Sequence, residues 1–319
     1  MAANADDMAN ESASPGPQVV VLPSGTKLPS PPFIHAPGLD NLRDAGGYAV
    51  SGSPGKIIRR GVLFRGADPS KLTEEGVAVV SNQLGITHIF DLRSTLELER
   101  DGASAVGKPW PGATRSFLPV FLDRDYSPEA LVERFMNYSY GTEGFAKAYS
   151  SILAAAAEPN HPYDPFRTII AHLASSTQPP SPLLVHCSAG KDRTGIFIAL
   201  VLSVCGVDDA TVSHEYSLTD LGLLARKKGI VDKITAGGIL GGDRARAERM
   251  VTSHKENMIA TLAMIRSTYG SVEQYLVNHC RVPAEQLEQL RRNLVIDATA
   301  TEQPLNWSPH AVMVDASYS

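Results

Sequence analysis

A cysteine opens and an arginine closes the run Cys187-Ser188-Ala189-Gly190-Lys191-Asp192-Arg193, with His186 before it and Thr194 after it. These residue types suit phosphate chemistry. A thiolate is a strong nucleophile. A guanidinium offers a planar fork that can hold two phosphate oxygens at once. The N–H groups of a tight turn can converge on one anion, and Gly190 allows a backbone conformation that a side chain would block.

The flanking segments say how such a loop would be held. Leu183-Leu184-Val185 is short, apolar and partly β-branched, so it reads as a buried strand. Ile196 to Leu202 is a longer apolar run that ends near Gly206, a suitable residue to follow a helix C-terminus. The run is therefore a strand-to-helix turn. A helix N-terminus favours a bound anion and, together with Arg193, favours the thiolate form of Cys187.

A cysteine with an arginine six residues on is weak evidence by itself, and a free cysteine usually packs as a small apolar core residue. The full string is far more specific. It resembles the signature loop of the cysteine-dependent protein tyrosine phosphatase superfamily, and its Ala-Gly-Lys-Asp-Arg interior is similar to that of the atypical PtpB-like phosphatases of bacteria and fungi. The resemblance spans residues 32–296, with sharp matches at the motifs.

The resemblance implies a phosphocysteine intermediate on Cys187, formed from a phosphomonoester and then hydrolysed by water. Arg193 and the N–H groups of Ser188, Ala189, Gly190, Lys191, Asp192 and Arg193 would bind the phosphate. Thr194 would assist the departing sulfur, and His186 would orient the loop. A leaving oxygen also needs a proton. Many tyrosine phosphatases carry the acid in a Trp-Pro-Asp loop, but here Trp110-Pro111-Gly112 lacks the aspartate. The PtpB-like pattern points to Asp91, in Asp91-Leu92-Arg93-Ser94, with Asp192 as second candidate and Asp123 or Asp125 behind them. The plainer reading of Asp91 is an anchor paired to an arginine such as Arg93 or Arg65. Lys191 adds a flexible cation, which in the family accompanies activity on phosphoinositides as well as phosphotyrosine. Phosphorylated proteins and inositol lipids are thus the expected substrates. The rival classes are a phosphatase-like module that binds without turnover and a cysteine-dependent sulfur transferase. The presence of both Cys187 and Arg193-Thr194 favours phosphate hydrolysis over either.

Elsewhere the elements alternate, which predicts an α/β fold, a central mostly parallel sheet flanked by helices. Asn41 to Tyr48 and Leu63 to Ala67 look like further family motifs; Arg65 ends a predicted strand, or forms an ion-pair network with Arg43 and Asp44. Helices are expected at Thr73–Leu84, 129–157, Phe166–Leu173, Val207–Leu218, Met258–Tyr269 and Ala284–Leu294, and strands at Ile86–Phe90 and Phe117–Val120. Ser94 and Glu97 form a capping-box pattern. Residues 220–255, charged and broken by glycines, match the family's helical lid or form an exposed loop. Residues 1–31 read as a disordered segment and residues 297–319 as a loose tail.

Of 319 residues, 43% are hydrophobic and 20% charged, and the net charge is −5. That balance suits a globular enzyme and gives no cause to expect nucleic acid as partner. Three cysteines, an odd number, fit a reducing compartment without a disulfide framework, hence a cytoplasmic setting. No run is apolar enough to span a bilayer, and the N-terminus resembles neither a signal nor a transit peptide. The nine histidines show no metal-ligand spacing, so no metal or other cofactor is expected. The sequence fixes no oligomeric state.

Overall fold

The computed structural model describes residues 19–102, 109–238 and 240–318. A hairpin of β1 (Val19–Val21) and β2 (Lys27–Pro29) comes first. The expected disorder of residues 1–31 therefore ends before Val19, and residues 1–18 lie outside the described residues. Next come β3 (Arg43–Asp44), β4 (Lys56–Ile58) and β5 (Leu63–Gly66). Helix α1 (Glu74–Ala78) runs on through a π-helical turn at Val79–Gln83, and the Thr73 side chain caps it by accepting from the Gly76 N–H at 3.1 Å. Strand β6 (His88–Asp91) leads to α2 (Thr95–Asp101), and β7 (Thr114–Phe117) lies three residues earlier than the expected strand at Phe117–Val120.

The single helix expected at 129–157 is two, α3 (Pro128–Ser139) and α4 (Thr142–Ala156). Gly141, at φ 75°, turns the chain between them. The break lets α4 pack closely on the last turn of α3; a Cβ on Gly144 would lie 2.0 Å from the Asn137 carbonyl oxygen. Then follow α5 (Pro165–Leu173), β8 (Leu183–His186), α6 (Asp192–Val204), α7 (Asp209–Ser217), α8 (Thr219–Gly222), α9 (Leu224–Ala236), α10 (Arg244–Val251), α11 (Lys255–Tyr269), α12 (Val272–Gln274), α13 (Ala284–Leu294), β9 (Val295–Asp297) and α14 (Ser308–Ala316).

The main sheet has the order β3-β5-β8-β6-β7. All its pairs are parallel except β3 on β5. Strand β8 is central, and all four of its residues are buried, which explains its continuous apolar reading. One sheet face packs Leu63, Phe90 and Val185 against α4, α5, α6 and α11. The other packs Phe64, Ile89 and Leu184 against Val79, Val80 and Trp110. The loop that follows β8 therefore emerges at the carboxyl ends of the strands, at the centre of the sheet, where open α/β folds bind ligands.

Two peripheral pieces bear on the expectations. Residues 295–297 pair with β4, and α14 docks on the body with His310 and Val314 buried, so the C-terminal segment is not a loose tail. The segment at 220–255 carries α9 and α10, and Val231, Ala247 and Met250 of these helices, with Leu240 between them, are buried against Phe135 and Tyr138 of α3.

Candidate active site

The loop from His186 to Arg193 is held from outside by its carbonyls. The Ser188 oxygen accepts from the Asp68 N–H at 3.3 Å. The Ala189 oxygen accepts from Asn41 Nδ2 at 3.1 Å. The Gly190 oxygen accepts from Arg65 Nη2 at 2.6 Å. The Lys191 oxygen accepts from the Gly195 N–H at 2.9 Å. In a trans peptide the N–H of the next residue points the opposite way. The N–H groups of Ala189, Gly190, Lys191 and Asp192 therefore turn towards the inside of the loop. Gly190 makes this curl possible: its φ is 65°, and a Cβ there would stand 2.1 Å from the Gly66 carbonyl oxygen.

Arg193, in the first turn of α6, is clamped by Glu97 of α2. Its Nη1 and Nη2 donate to Glu97 Oε2 and Oε1 at 2.5 and 2.7 Å. Ser188 Oγ donates to the same carboxylate at 2.7 Å and the Tyr126 hydroxyl at 2.9 Å. The capping box is real: the Ser94 side chain accepts from the Glu97 N–H, and Glu97 accepts from the Ser94 N–H. Burial pushes the Glu97 carboxyl up, but Arg193 and these donors outweigh it and hold Glu97 well below the ordinary glutamate range. Sequence reasoning saw Glu97 only as a cap; its link to Arg193 spans 96 positions and left no local signal.

Behind the loop, Arg65 and Arg43 share Glu215 of α7. Arg43 Nε donates at 2.8 Å and Arg65 Nη1 at 2.6 Å. Arg65 is fully buried and braces the loop through the Gly190 carbonyl. The ion-pair network is therefore present, but Asp44 is outside it; its carboxylate accepts from the Gly46 and Gly61 N–H groups.

Asp91 is enclosed by basic side chains. It is fully buried and accepts from Arg93 Nη2 at 2.7 Å and Arg115 Nη2 at 2.6 Å. Burial raises its carboxyl, yet His186, Arg93 and Arg115 together hold it far below the usual carboxylate range. An ionised, enclosed carboxylate cannot hand over a proton at neutral pH. The expectation that Asp91 is the acid gives way to the anchor reading, with Arg115 the partner that the sequence did not reveal. Arg93 is equally enclosed, joining Asp91 to Asp68. His186 is buried in register with Asp91 on the neighbouring strand, and burial lowers its imidazole below the ordinary histidine value.

Asp192 differs from Asp91. Its side chain is 24% exposed, and Oδ1 accepts from the Tyr149 hydroxyl at 2.8 Å. It lines a cavity of about 230 Å³ with Ala189, Lys191, Tyr138 of α3, and Ile230 and Ile234 of α9. Asp123 is exposed, and Asp125 caps the Leu122 N–H. Cys187 is buried at the loop's start, and Thr194 is buried with a hydroxyl that has no hydrogen-bond partner among the described residues. Lys191, expected as a flexible cation, is held in place: its Nζ donates to the Met250 and Thr252 carbonyls. No group of metal-ligating residues occurs among the described residues, and no described helix is long and apolar enough to cross a membrane.

Comparison with known proteins agrees with this geometry. The profile of the tyrosine phosphatase family matches residues 34–296. The chain is 28% identical over 266 residues to the triple specificity protein phosphatase PtpB of Mycobacterium tuberculosis, covering 75% of this chain and 91% of that one. It is 31% identical over 136 residues to a tyrosine-protein phosphatase of Nostoc commune, covering 42% and 45%. Fold, loop and family profile together identify the chain as a protein phosphatase of the tyrosine phosphatase family.

Proposed function

We propose that the chain hydrolyses phosphotyrosine in proteins through a phosphocysteine on Cys187. The observation that carries this reading is the loop whose Ser188, Ala189, Gly190 and Lys191 carbonyls are each engaged, with Arg193 clamped at its end. Inward N–H groups and a fixed guanidinium are pre-set for the charge on the equatorial oxygens of a transferring phosphoryl group.

In the first step the Cys187 thiolate attacks phosphorus in line, a P–S bond forms and the P–O bond to the phenol breaks. Asp192 gives its proton to the departing oxygen. In the second step Asp192 takes a proton from water as that water attacks phosphorus, and phosphate and thiolate are released. The Thr194 hydroxyl supports the thiolate. The cavity beside Asp192 has a mostly apolar wall of Phe135, Tyr138, Ile230 and Ile234, which suits an aryl ring more than the short alkyl stem of phosphoserine. Helices α9 and α10 form one side of that cavity and act as a lid over it. Turnover of phosphoserine, phosphothreonine and phosphoinositides is the wider form of the same reading, in line with the relative named for triple specificity.

The test is phosphate release by the parent and its Cys187→Ser variant from phosphotyrosine peptide, phosphoserine peptide and a soluble phosphoinositide. Release by the parent alone, fastest from phosphotyrosine peptide, is the expected result. A parent that binds vanadate but releases no phosphate would make the chain a binding module. Protease cleavage within 236–243 that vanadate leaves unchanged would remove the lid.

A further inference from the structure

Lys191 stands where the signature loop meets the lid. It is 5% exposed. Its ammonium donates to the carbonyl oxygens of Met250 at 2.6 Å and Thr252 at 3.1 Å, and lies 3.4 Å from Asp192. The rings of Phe145 and Tyr138 flank it at 4.8 and 5.7 Å. The Met250 carbonyl ends α10, and the Thr252 carbonyl lies in the joint between α10 and α11.

That joint is pinned from the far side. The Ser253 N–H donates to Asp220 Oδ2 at 2.9 Å, and the Tyr318 hydroxyl donates to the same oxygen at 2.9 Å. Asp220 is 3% exposed. The Tyr318 ring also lies 4.3 Å from that of His254, the residue after Ser253. Tyr318 is brought there by α14, which packs Val314 with Leu28, Phe33, Leu218 and Leu221, while Trp307 stacks on His214 at 4.5 Å. An unbroken path thus runs from Tyr318 to Asp220, to the Thr252–Ser253 peptide and to Lys191.

We propose that Asp220 and Tyr318 are positioning residues that keep Lys191 on the joint and so set the enzyme's discrimination against substrates with a second phosphate. The inference rests on the phosphatase reading above. A single phosphate is held by the loop and Arg193. A neighbouring second phosphate needs another cation; Lys191 is carried by the loop itself, while Arg134 lines the wall of the same cavity. Lys191 reaches outward only by leaving the Met250 and Thr252 carbonyls. A joint held rigidly in place makes those acceptors hard to give up; a looser joint releases the ammonium. Selectivity then comes from what the competing substrate must break as well as from what the preferred one gains.

The test uses the full chain with Tyr318→Phe, which removes one hydroxyl distant from the reacting atoms. Steady-state kinetics are read on a monophosphorylated aryl substrate and on a soluble inositol lipid with adjacent phosphates. The aryl substrate should keep its kcat, while KM for the second substrate should fall about fivefold and exchange of the Ser253 amide should rise about tenfold. Asp220→Asn, which keeps the shape, should do the same. In a Lys191→Met background Tyr318→Phe should no longer move KM, since the two residues act on one path. An unchanged Ser253 exchange rate would overturn the clamp. So would a KM change that persists without Lys191. Exchange needs no turnover, so a protein that never releases phosphate would instead overturn the phosphatase reading.

Discussion

Two arginine–glutamate clusters hold the signature loop, and they differ in one physical respect. Behind the loop, two guanidiniums share the single carboxylate of Glu215, with side chains at most 2% exposed. At its end, Arg193 grips the carboxylate of Glu97 with both of its terminal nitrogens, and the two side chains keep 11% and 9% of their surface. The consequence shows in the arginines. Burial, with Arg65 close by, draws the Arg43 guanidinium down to about 10 in spite of Glu215. Burial also disfavours the charge on Arg193, but Glu97 more than offsets it and raises Arg193 well above the ordinary value. The first cluster is committed to structure. The second fixes a cation that keeps some of its surface exposed, which is what the proposed phosphate binding requires.

The comparison can be broken from either side. Glu215→Gln leaves two buried guanidiniums sharing a neutral amide and should cost about 3–5 kcal/mol in chemical denaturation. Glu97→Gln should cost less, about 1–3 kcal/mol, because Arg193 can turn to solvent. Its larger effect should be on turnover, with kcat down about a hundredfold as Arg193 loses its geometry. Equal stability losses, or an unchanged kcat in Glu97→Gln, would erase the distinction.

Leaving-group dependence separates the two aspartates. Asp192→Asn should lower kcat about a hundredfold on alkyl phosphates and far less on activated aryl phosphates, since only poor leaving groups need the acid. Asp91→Asn should lower both alike, because it disturbs Arg93 and Arg115 and not a proton transfer. A steep leaving-group effect in Asp91→Asn would restore Asp91 as the acid.

The smallest effect is that of pH on the Glu97 clamp. The folded protein holds Glu97 below the ordinary value of 4.5, so the unfolded chain takes up the proton first. The stability Glu97 contributes is present above about pH 4.5 and lost as pH falls through its lower folded value. The stability gap between parent and Glu97→Gln should therefore narrow as pH drops below 4.5. A gap that widens there would contradict the depressed carboxyl.

What the sequence made legible was local. Cys187, Gly190 and Arg193 lie within one short run, so the full string revealed the loop through its resemblance to the family's signature, and the alternation of apolar runs revealed the parallel sheet. The Ser94–Glu97 box was legible for the same reason, as a cap. What that carboxylate grips was not, since Arg193 meets it only after β6 and β8 pair. The enclosure of Asp91 was hidden on similar grounds: its place at a strand end was legible, but Arg115 arrives from another strand and closes it off. Helix α14 was missed because its few apolar residues find partners far away in the chain, at Leu28, Phe33 and Leu221.

The most direct test is to quench turnover of a phosphotyrosine peptide within the first cycle and map bound phosphate by mass spectrometry. One phosphoryl group on the peptide that carries Cys187, and none in Cys187→Ser, is the predicted result. Phosphate release with Cys187 unmodified, or undiminished release by Cys187→Ser, would contradict the mechanism.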